Sequence, residues 1–393
     1  MEENKSWRKA YYILLAIILV LLLQIRGGQW AWAFNIWDTT WNIRWLYVLL
    51  LSFVFAQLLT PLAIQLAWRF NLLDHPDTRK LHAKAVPRIG GLAIFVSVIL
   101  ATARNYQFSN ELLWLMIGGS IIYVLGFIDD IRPLPATTRL IVQVLACLAV
   151  IKGGVIITIV PYYWPFADYL RAGLTILWLI GIANAINFLD GVDGLVAGMV
   201  AISALLFFFI AWPLRQSYLS YLLVAIAGAS IGFLPYNWKP AKCFMGDASA
   251  TFLGFMLAGT AIMGSWTYGN VMVAMATPLL ILGIPIFDMI YTTVSRFKNG
   301  QVHTFKEWLE YTGRDHFHHR LMNLKLSEKN TVLFIWMLNV CLGIGAIVIR
   351  NTGTFHSIMV LTQSVMILLI IAIIMVAGRE TVSDNTRTEV RSK

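Results

Sequence analysis

Apolar runs without a single charge recur along this chain, and they leave little choice of fold. They lie near residues 10–25, 45–68, 89–103, 112–128, 140–151, 172–189, 194–214, 216–238, 248–287, 330–349 and 351–378. A helix needs about 17–25 apolar residues to cross a bilayer. The run at 248–287 is too long for one crossing, and GSWTYGN, residues 264 to 270, supplies a turn inside it. The run at 140–151 is short, though residues 153–167 could extend it. In lipid every backbone polar group needs a partner within the chain, which favours helices. The expected class is all-α, a polytopic transmembrane helical bundle of about 11–12 spans.

Composition agrees. The chain is 59% hydrophobic and 13% charged, so no large soluble domain fits beside the spans. Twelve spans put both termini on one side. With that side taken as inside, 23 of the 30 Lys and Arg residues fall there, which is the asymmetry of a cytoplasmic face. The net charge of +10 is therefore no sign of nucleic acid. Cys147, Cys243 and Cys341 are far apart and suggest neither a disulfide framework nor zinc. The first run follows MEENKSWRK and lacks a convincing cleavage site, so it is read as an uncleaved span. The tail, 379–393, is polar and expected to be disordered.

All the polar clusters fall at the inside ends of these spans. The central one is NAINFLDGVDGLVAG, residues 184 to 198. Asn184, Asn187, Asp190 and Asp193 are spaced by threes, so the helical part of the series shares one face. Gly191 and Gly194 are expected to end the helix. Polar groups at the mouth of a membrane helix are costly unless paired, hydrated or bound to an ion. Amide and carboxylate oxygens suit Mg²⁺ together with substrate phosphates. Across GFIDD, Asp129 and Asp130 place two carboxylates at a helix C-terminus, where the macrodipole disfavours them. A metal, a cationic side chain or a proton-accepting role should compensate. Asp247, in MGDASATFLGF, starts a span and reads either as a cap or as a metal ligand.

Two loops add cations. DHPDTRKLHAKAVPRIGG, residues 74 to 91, offers Arg79, Lys80, His82 and Arg88 as phosphate donors. On charge alone it is an ordinary positive-inside loop. GRDHFHHRL, residues 313 to 321, brings Arg314, His316, His318, His319 and Arg320 together. Its spacing fits no zinc pattern and suits hydrogen bonding to a diphosphate better. Asp288 and Arg296 precede it and pair either with each other or with a ligand.

Taken in order, these five motifs resemble the bacterial polyprenyl-phosphate N-acetylhexosamine-1-phosphate transferases, over about residues 45 to 350. The RKLHAKAVPRIGG loop is more similar to the branch that starts surface glycans from UDP-N-acetylglucosamine. The resemblance implies transfer of a sugar 1-phosphate from a UDP-N-acetylhexosamine to undecaprenyl phosphate in the bacterial cell (inner) membrane, with release of UMP. It implies Mg²⁺, with Mn²⁺ as an alternative, held by Asn187 and Asp247. Asp129 and Asp130 would be the catalytic pair. Asn184, Asp190 and Asp193 would serve the nucleotide, Asp193 near the uracil. The two basic loops would hold phosphates and sugar, and a homodimer is left open.

Residues 1–44 are then an additional span with an external loop, and 351–393 a last span with its tail. One departure stands out. The family usually has Gly-Ser where this chain has Ser249-Ala250, which puts the backbone contacts there in question. Two other classes compete: an Mg-dependent intramembrane prenyltransferase with Asp-rich motifs, and a transporter for an anionic substrate, which predicts polar groups deep within the spans.

Overall fold

Every one of the apolar runs becomes helical in the computed structural model. It describes residues 2–24, 44–76, 84–104, 109–267, 270–304, 307–308, 311, 313, 315–350 and 352–391. In chain order the helices are α1 (Glu2–Gln24), α2 (Arg44–Arg69), α3 (Leu92–Arg104), α4 (Asn110–Ile131), α5 (Ala136–Lys152), α6 (Ala167–Leu189), α7 (Leu195–Ala211) and α8 (Ser217–Asn237). There follow α9 (Asp247–Met263), α10 (Val271–Ile281), α11 (Gly283–Lys298), α12 (Phe317–Asn323), α13 (Glu328–Ile349) and α14 (Thr354–Arg391). Between α2 and α3 a short antiparallel ladder pairs β1 (Leu73–Asp74) with β2 (Val86–Pro87), Leu73 opposite Pro87 and Asp74 opposite Val86.

The helical membrane class holds, while the lengths are uneven. Helices α2, α4, α6, α8, α13 and the 355–376 part of α14 are long and apolar enough to cross a bilayer. Helices α3, α7, α9 and the apolar part of α1 have 10–17 residues. Helix α5 stops at Lys152, because Gly153 and Gly154, the latter at φ +100°, turn the chain away. Residues 153–166 therefore do not lengthen that span. Helix α14 runs on to Arg391, so the tail expected to be disordered is helical backbone. No glycine or proline after Gly378 interrupts it.

Helices α10 and α11 are together long and apolar enough for one span, but they bend by 75° at Leu282. Pro285 explains the break: it has no N–H for the carbonyl of Ile281 and its ring crowds that turn. The Ile281 carbonyl accepts from Ser203 Oγ of α7, at 3.5 Å.

Helix α9 is the centre of the bundle. It packs against α4 on one side and α6 on another, and every residue from Ala248 to Ala261 is buried. A helix apolar on all faces belongs in a core. Its first residue, Asp247, emerges at the end where the polar motifs collect. Helix α4 reaches α9 through Gly126, where an added Cβ would lie 2.5 Å from Ala248 Cα. Gly126→Ala should therefore wedge the two helices apart at the site and cost about 1–3 kcal/mol. A lower melting temperature in detergent would show it, whereas Gly173→Ala, with nothing within 4 Å of the new methyl, should be neutral or slightly stabilising.

Candidate active site

Helix α6 ends where its sequence turns polar. Asp190 leaves helical geometry, with its N–H bonded to the Asn187 carbonyl. Gly194, at φ +80°, then turns the chain into α7. Asn184 Nδ2 donates to the Ile180 carbonyl at 3.0 Å, one turn back. Asn187 Oδ1 is buried and has no hydrogen-bond partner among the described residues. Asp193 faces the 238–243 loop instead. Its Oδ2 accepts from Ala241 N at 3.0 Å and lies 3.7 Å from Lys239 Nζ. Lys239 Nζ in turn sits 2.6 Å from Glu328 Oε2.

The adjacent acids of α4 part company. Asp129 Oδ1 accepts from Leu134 N at 2.6 Å and Oδ2 from Arg139 Nη1 at 3.0 Å. Asp130 points under the start of α9, where Oδ2 accepts from Ala248 N at 3.3 Å. Its Oδ1 is 3.2 Å from Arg88 Nη2, and the same nitrogen is 3.7 Å from Asp247 Oδ2. Two guanidiniums thus compensate the two neighbouring carboxylates. Gly246 precedes Asp247 at φ +80°, and a Cβ there would approach Arg88 O and Asp130 Oδ2. No side chain caps α9, so Asp247 is not used as a cap, and nearly half its side chain is exposed.

The hairpin before α3 is laced to the same turn. Phe244 N donates to Pro87 O, Gly90 N to Phe244 O and Gly91 N to Met245 O. The Ser249 departure is accommodated here: its hydroxyl occupies the space that a side chain at Gly91 would need. Arg79, Lys80, His82 and Arg314 lie outside the described residues.

Asp129, Arg139, Asn184, Asn187, Asp247 and Thr251 line one cavity of about 380 Å³. The same cavity continues along Ile122, Leu125, Val144, Ile176, Leu177 and Ile180, so its wall passes from acids and amides to aliphatic side chains. Among the described residues no three His, Cys, Asp or Glu side chains form a ready-made metal cage. Mg²⁺ does not require one, since it usually keeps several waters and takes one or two protein oxygens plus phosphates. The unpartnered Asn187 Oδ1 and the accessible Asp247 carboxylate on a shared wall fit that habit.

The histidine segment divides. His316 Nδ1 lies 2.7 Å from Asp288 Oδ2, and its Nε2 lies 3.1 Å from Arg296 Nη2. Arginine only donates, so the ring proton sits on Nδ1 and is donated to Asp288. Arg296 also clamps Asp315 through two bonds of 2.8 and 2.7 Å. Although burial opposes it, the Arg296 pairing holds the Asp315 carboxyl below the usual range. Asp288 and Arg296 therefore pair with the histidine segment and not with each other. Arg320 is buried, with Nε donating to the Asp315 carbonyl at 3.3 Å. His316 and Arg320 are thus engaged with protein groups. His318 remains: it is buried, neither ring nitrogen has a partner among the described residues, and its ring lies over Gly191. Burial first, then His319 and His316, hold its pKa well below the ordinary value.

Comparison with known proteins decides the family. Residues 112–265 match the family model of glycosyl transferase family 4. Over 306 residues the chain is 32% identical to the probable undecaprenyl-phosphate N-acetylglucosaminyl 1-phosphate transferase of Bacillus subtilis (strain 168), covering 76% of this chain and 83% of the relative. The chain belongs to glycosyl transferase family 4. The decaprenyl-phosphate N-acetylglucosaminephosphotransferase of Mycobacterium leprae (strain TN) is 28% identical over 71% of this chain and 78% of its own length. The phospho-N-acetylmuramoyl-pentapeptide-transferase of Enterococcus hirae is 32% identical over 65% and 81%.

Sequence reasoning missed several residues of this family 4 site. Asn237, buried at the end of α8, accepts from Gly194 N at 3.0 Å and donates to the Cys243 carbonyl at 3.1 Å. It joins the turn after Asp193 to the turn before Asp247. An amide at the end of a span was the same signal that singled out Asn187. Arg139 and Lys239 were visible only as charges, because their partners are remote in sequence.

Burial, with Asp247, Asp130 and Asp193 nearby, pushes the Asp190 carboxyl up to about 8. The folded state then holds a proton that the unfolded chain releases near about pH 4. Between those values folding takes up a proton, so stability falls as pH rises. The melting temperature without nucleotide or divalent ions should drop from pH 5 to pH 8, and Asp190→Asn should flatten that slope.

Proposed function

We propose that the protein transfers N-acetylglucosamine 1-phosphate from UDP-N-acetylglucosamine to undecaprenyl phosphate and releases UMP. The observation that carries this reading is the cavity whose wall changes from Asp129, Asn187 and Asp247 to an aliphatic groove. A phosphate at one end and a prenyl chain along the other would match both halves. The names of the relatives support the sugar phosphate and the polyprenyl acceptor. A transporter would place its polar groups deep within the spans, but here they gather at helix ends. The basic excess on this side supports reading it as the cytoplasmic face, where soluble nucleotide sugars are met.

The reaction joins an acceptor phosphate oxygen to the phosphorus that bears the sugar. The bond from that phosphorus to the bridging oxygen breaks, and UMP leaves with the electron pair. Such a transfer needs positioning and charge neutralisation more than covalent help. Asn187 and Asp247 would hold Mg²⁺, which when bound supplies Lewis-acid neutralisation of the diphosphate. Arg88 sets Asp247 and Asp130 in place. Asp129, oriented by Leu134 N and Arg139, faces the cavity and positions the incoming phosphate. That phosphate has a second pKa near about 6 and is mostly dianionic at neutral pH, so little proton removal is required of Asp129. His318 lies against the turn at Gly191 with both ring nitrogens buried and without a partner among the described residues, so it packs behind the site and holds that turn.

Purified protein with undecaprenyl phosphate, Mg²⁺ and UDP-N-acetylglucosamine should release UMP and yield a lipid of the corresponding mass. Asn187→Ala and Asp247→Asn should each lower the rate by about 100-fold or more, and chelation should stop it until Mg²⁺ is restored. Release of inorganic diphosphate would instead indicate prenyl transfer. Full turnover by Asp129→Asn at pH 6, where more acceptor is protonated, would remove any base role for Asp129.

A further inference from the structure

Helix α1 lies outside the segment matched by the family model, yet it is bound to the bundle by side-chain hydrogen bonds and not by apolar packing alone. The bonds begin at a proline. Pro61 sits inside α2 and has no N–H for the Gln57 carbonyl one turn earlier. That carbonyl accepts the hydroxyl of Tyr236 at 3.1 Å, and Gln57 Oε1 lies 3.2 Å from the same hydroxyl. Gln57 Nε2 donates to the Gly232 carbonyl at 2.8 Å, and Oε1 also accepts from Tyr11 at 3.1 Å. The Tyr236 hydroxyl has one proton, which these Gln57 oxygens take up. The 3.0 Å contact between the Tyr12 and Tyr236 hydroxyls is therefore a bond that Tyr12 donates.

Tyr236 connects this cluster to the site. Its carbonyl accepts from Lys242 N at 2.8 Å and Cys243 N at 3.3 Å. Its neighbour Asn237 holds Gly194 N and the Cys243 carbonyl. A displacement of Tyr236 would thus reach both acid-bearing turns, the one after Asp193 and the one before Asp247. Gln57 and Tyr236 are buried, so a bond lost between them leaves a polar group with no water to replace it. We infer that Tyr12, Gln57 and Tyr236 are positioning residues through which the N-terminal helix fixes the nucleotide-facing turns of the site. The inference rests on the transferase reading for what those turns bind, but not for the coupling itself.

The cysteines give a readout independent of activity. Cys243 is buried at the coupled turn and Cys147 is buried elsewhere. In full-length protein in detergent, Tyr12→Phe and Tyr236→Phe should each speed maleimide labelling of Cys243 about fivefold, while Cys147 stays protected. The same variants should raise KM for UDP-N-acetylglucosamine about fivefold with kcat within about twofold. If Tyr236→Phe does not fold, Tyr12→Phe, at the partly exposed end of the chain of bonds, still decides the matter. Unchanged Cys243 labelling in the folded variants, with or without a lower melting temperature, overturns the coupling and leaves α1 an anchor. A wild-type protein that releases no UMP refutes the transferase reading, while the labelling result stands on its own.

Discussion

A single guanidinium, that of Arg88, lies 3.2 Å from the buried Asp130 carboxylate and 3.7 Å from the half-exposed Asp247 carboxylate. The geometry of the whole polar end depends on it. Asp130 comes from the end of α4 and Asp247 from the start of α9, and in an apolar bundle two such charges would repel each other at high cost. Arg88 lets the helix ends converge, and the hairpin that carries it is fastened to residues 244 and 245 by main-chain bonds. Breaking such a set by removing one partner leaves an uncompensated charge, which is worse than never having had the pair. The arrangement thus fixes the relative position of three segments that are far apart in sequence.

The bent helix pair and the histidine segment work as a second unit. The bend at Leu282 swings α11 so that Asp288 receives His316 and the Phe317 N–H, the latter at 2.6 Å. Arg296, about two turns further along α11, takes Asp315 and packs over the Tyr311 ring. These contacts hold the segment so that His318, rather than its neighbours, turns toward Gly191. The polar end is thus held by two clamps, one around Arg88 and one around Arg296.

Much of this was legible in the sequence. Uncharged run length placed the long apolar helices, though not α12 or the end of α14, and the threefold spacing of Asn184, Asn187 and Asp190 placed the central turn. What could not be read was pairing. Nothing local says that Asp129 takes Arg139 while Asp130 takes Arg88, or that His316 belongs to Asp288. Those choices are settled by helix packing, to which run length is blind. Span counts also misled at α5, because hydropathy does not register where two glycines turn the backbone. Asn237 carried the right chemical signal, an amide at a span end, but without neighbours of its kind it did not stand out.

Helix α9 is enclosed on all sides from Ala248 to Ala261, and it has no direction in which to slide. Asp247, fixed at its tip, is in effect a stationary post. In the transfer reaction proposed above, the substrates come to that post rather than the post to them. A molecule shaped to that post would meet a carboxylate whose supporting backbone is gripped on every side.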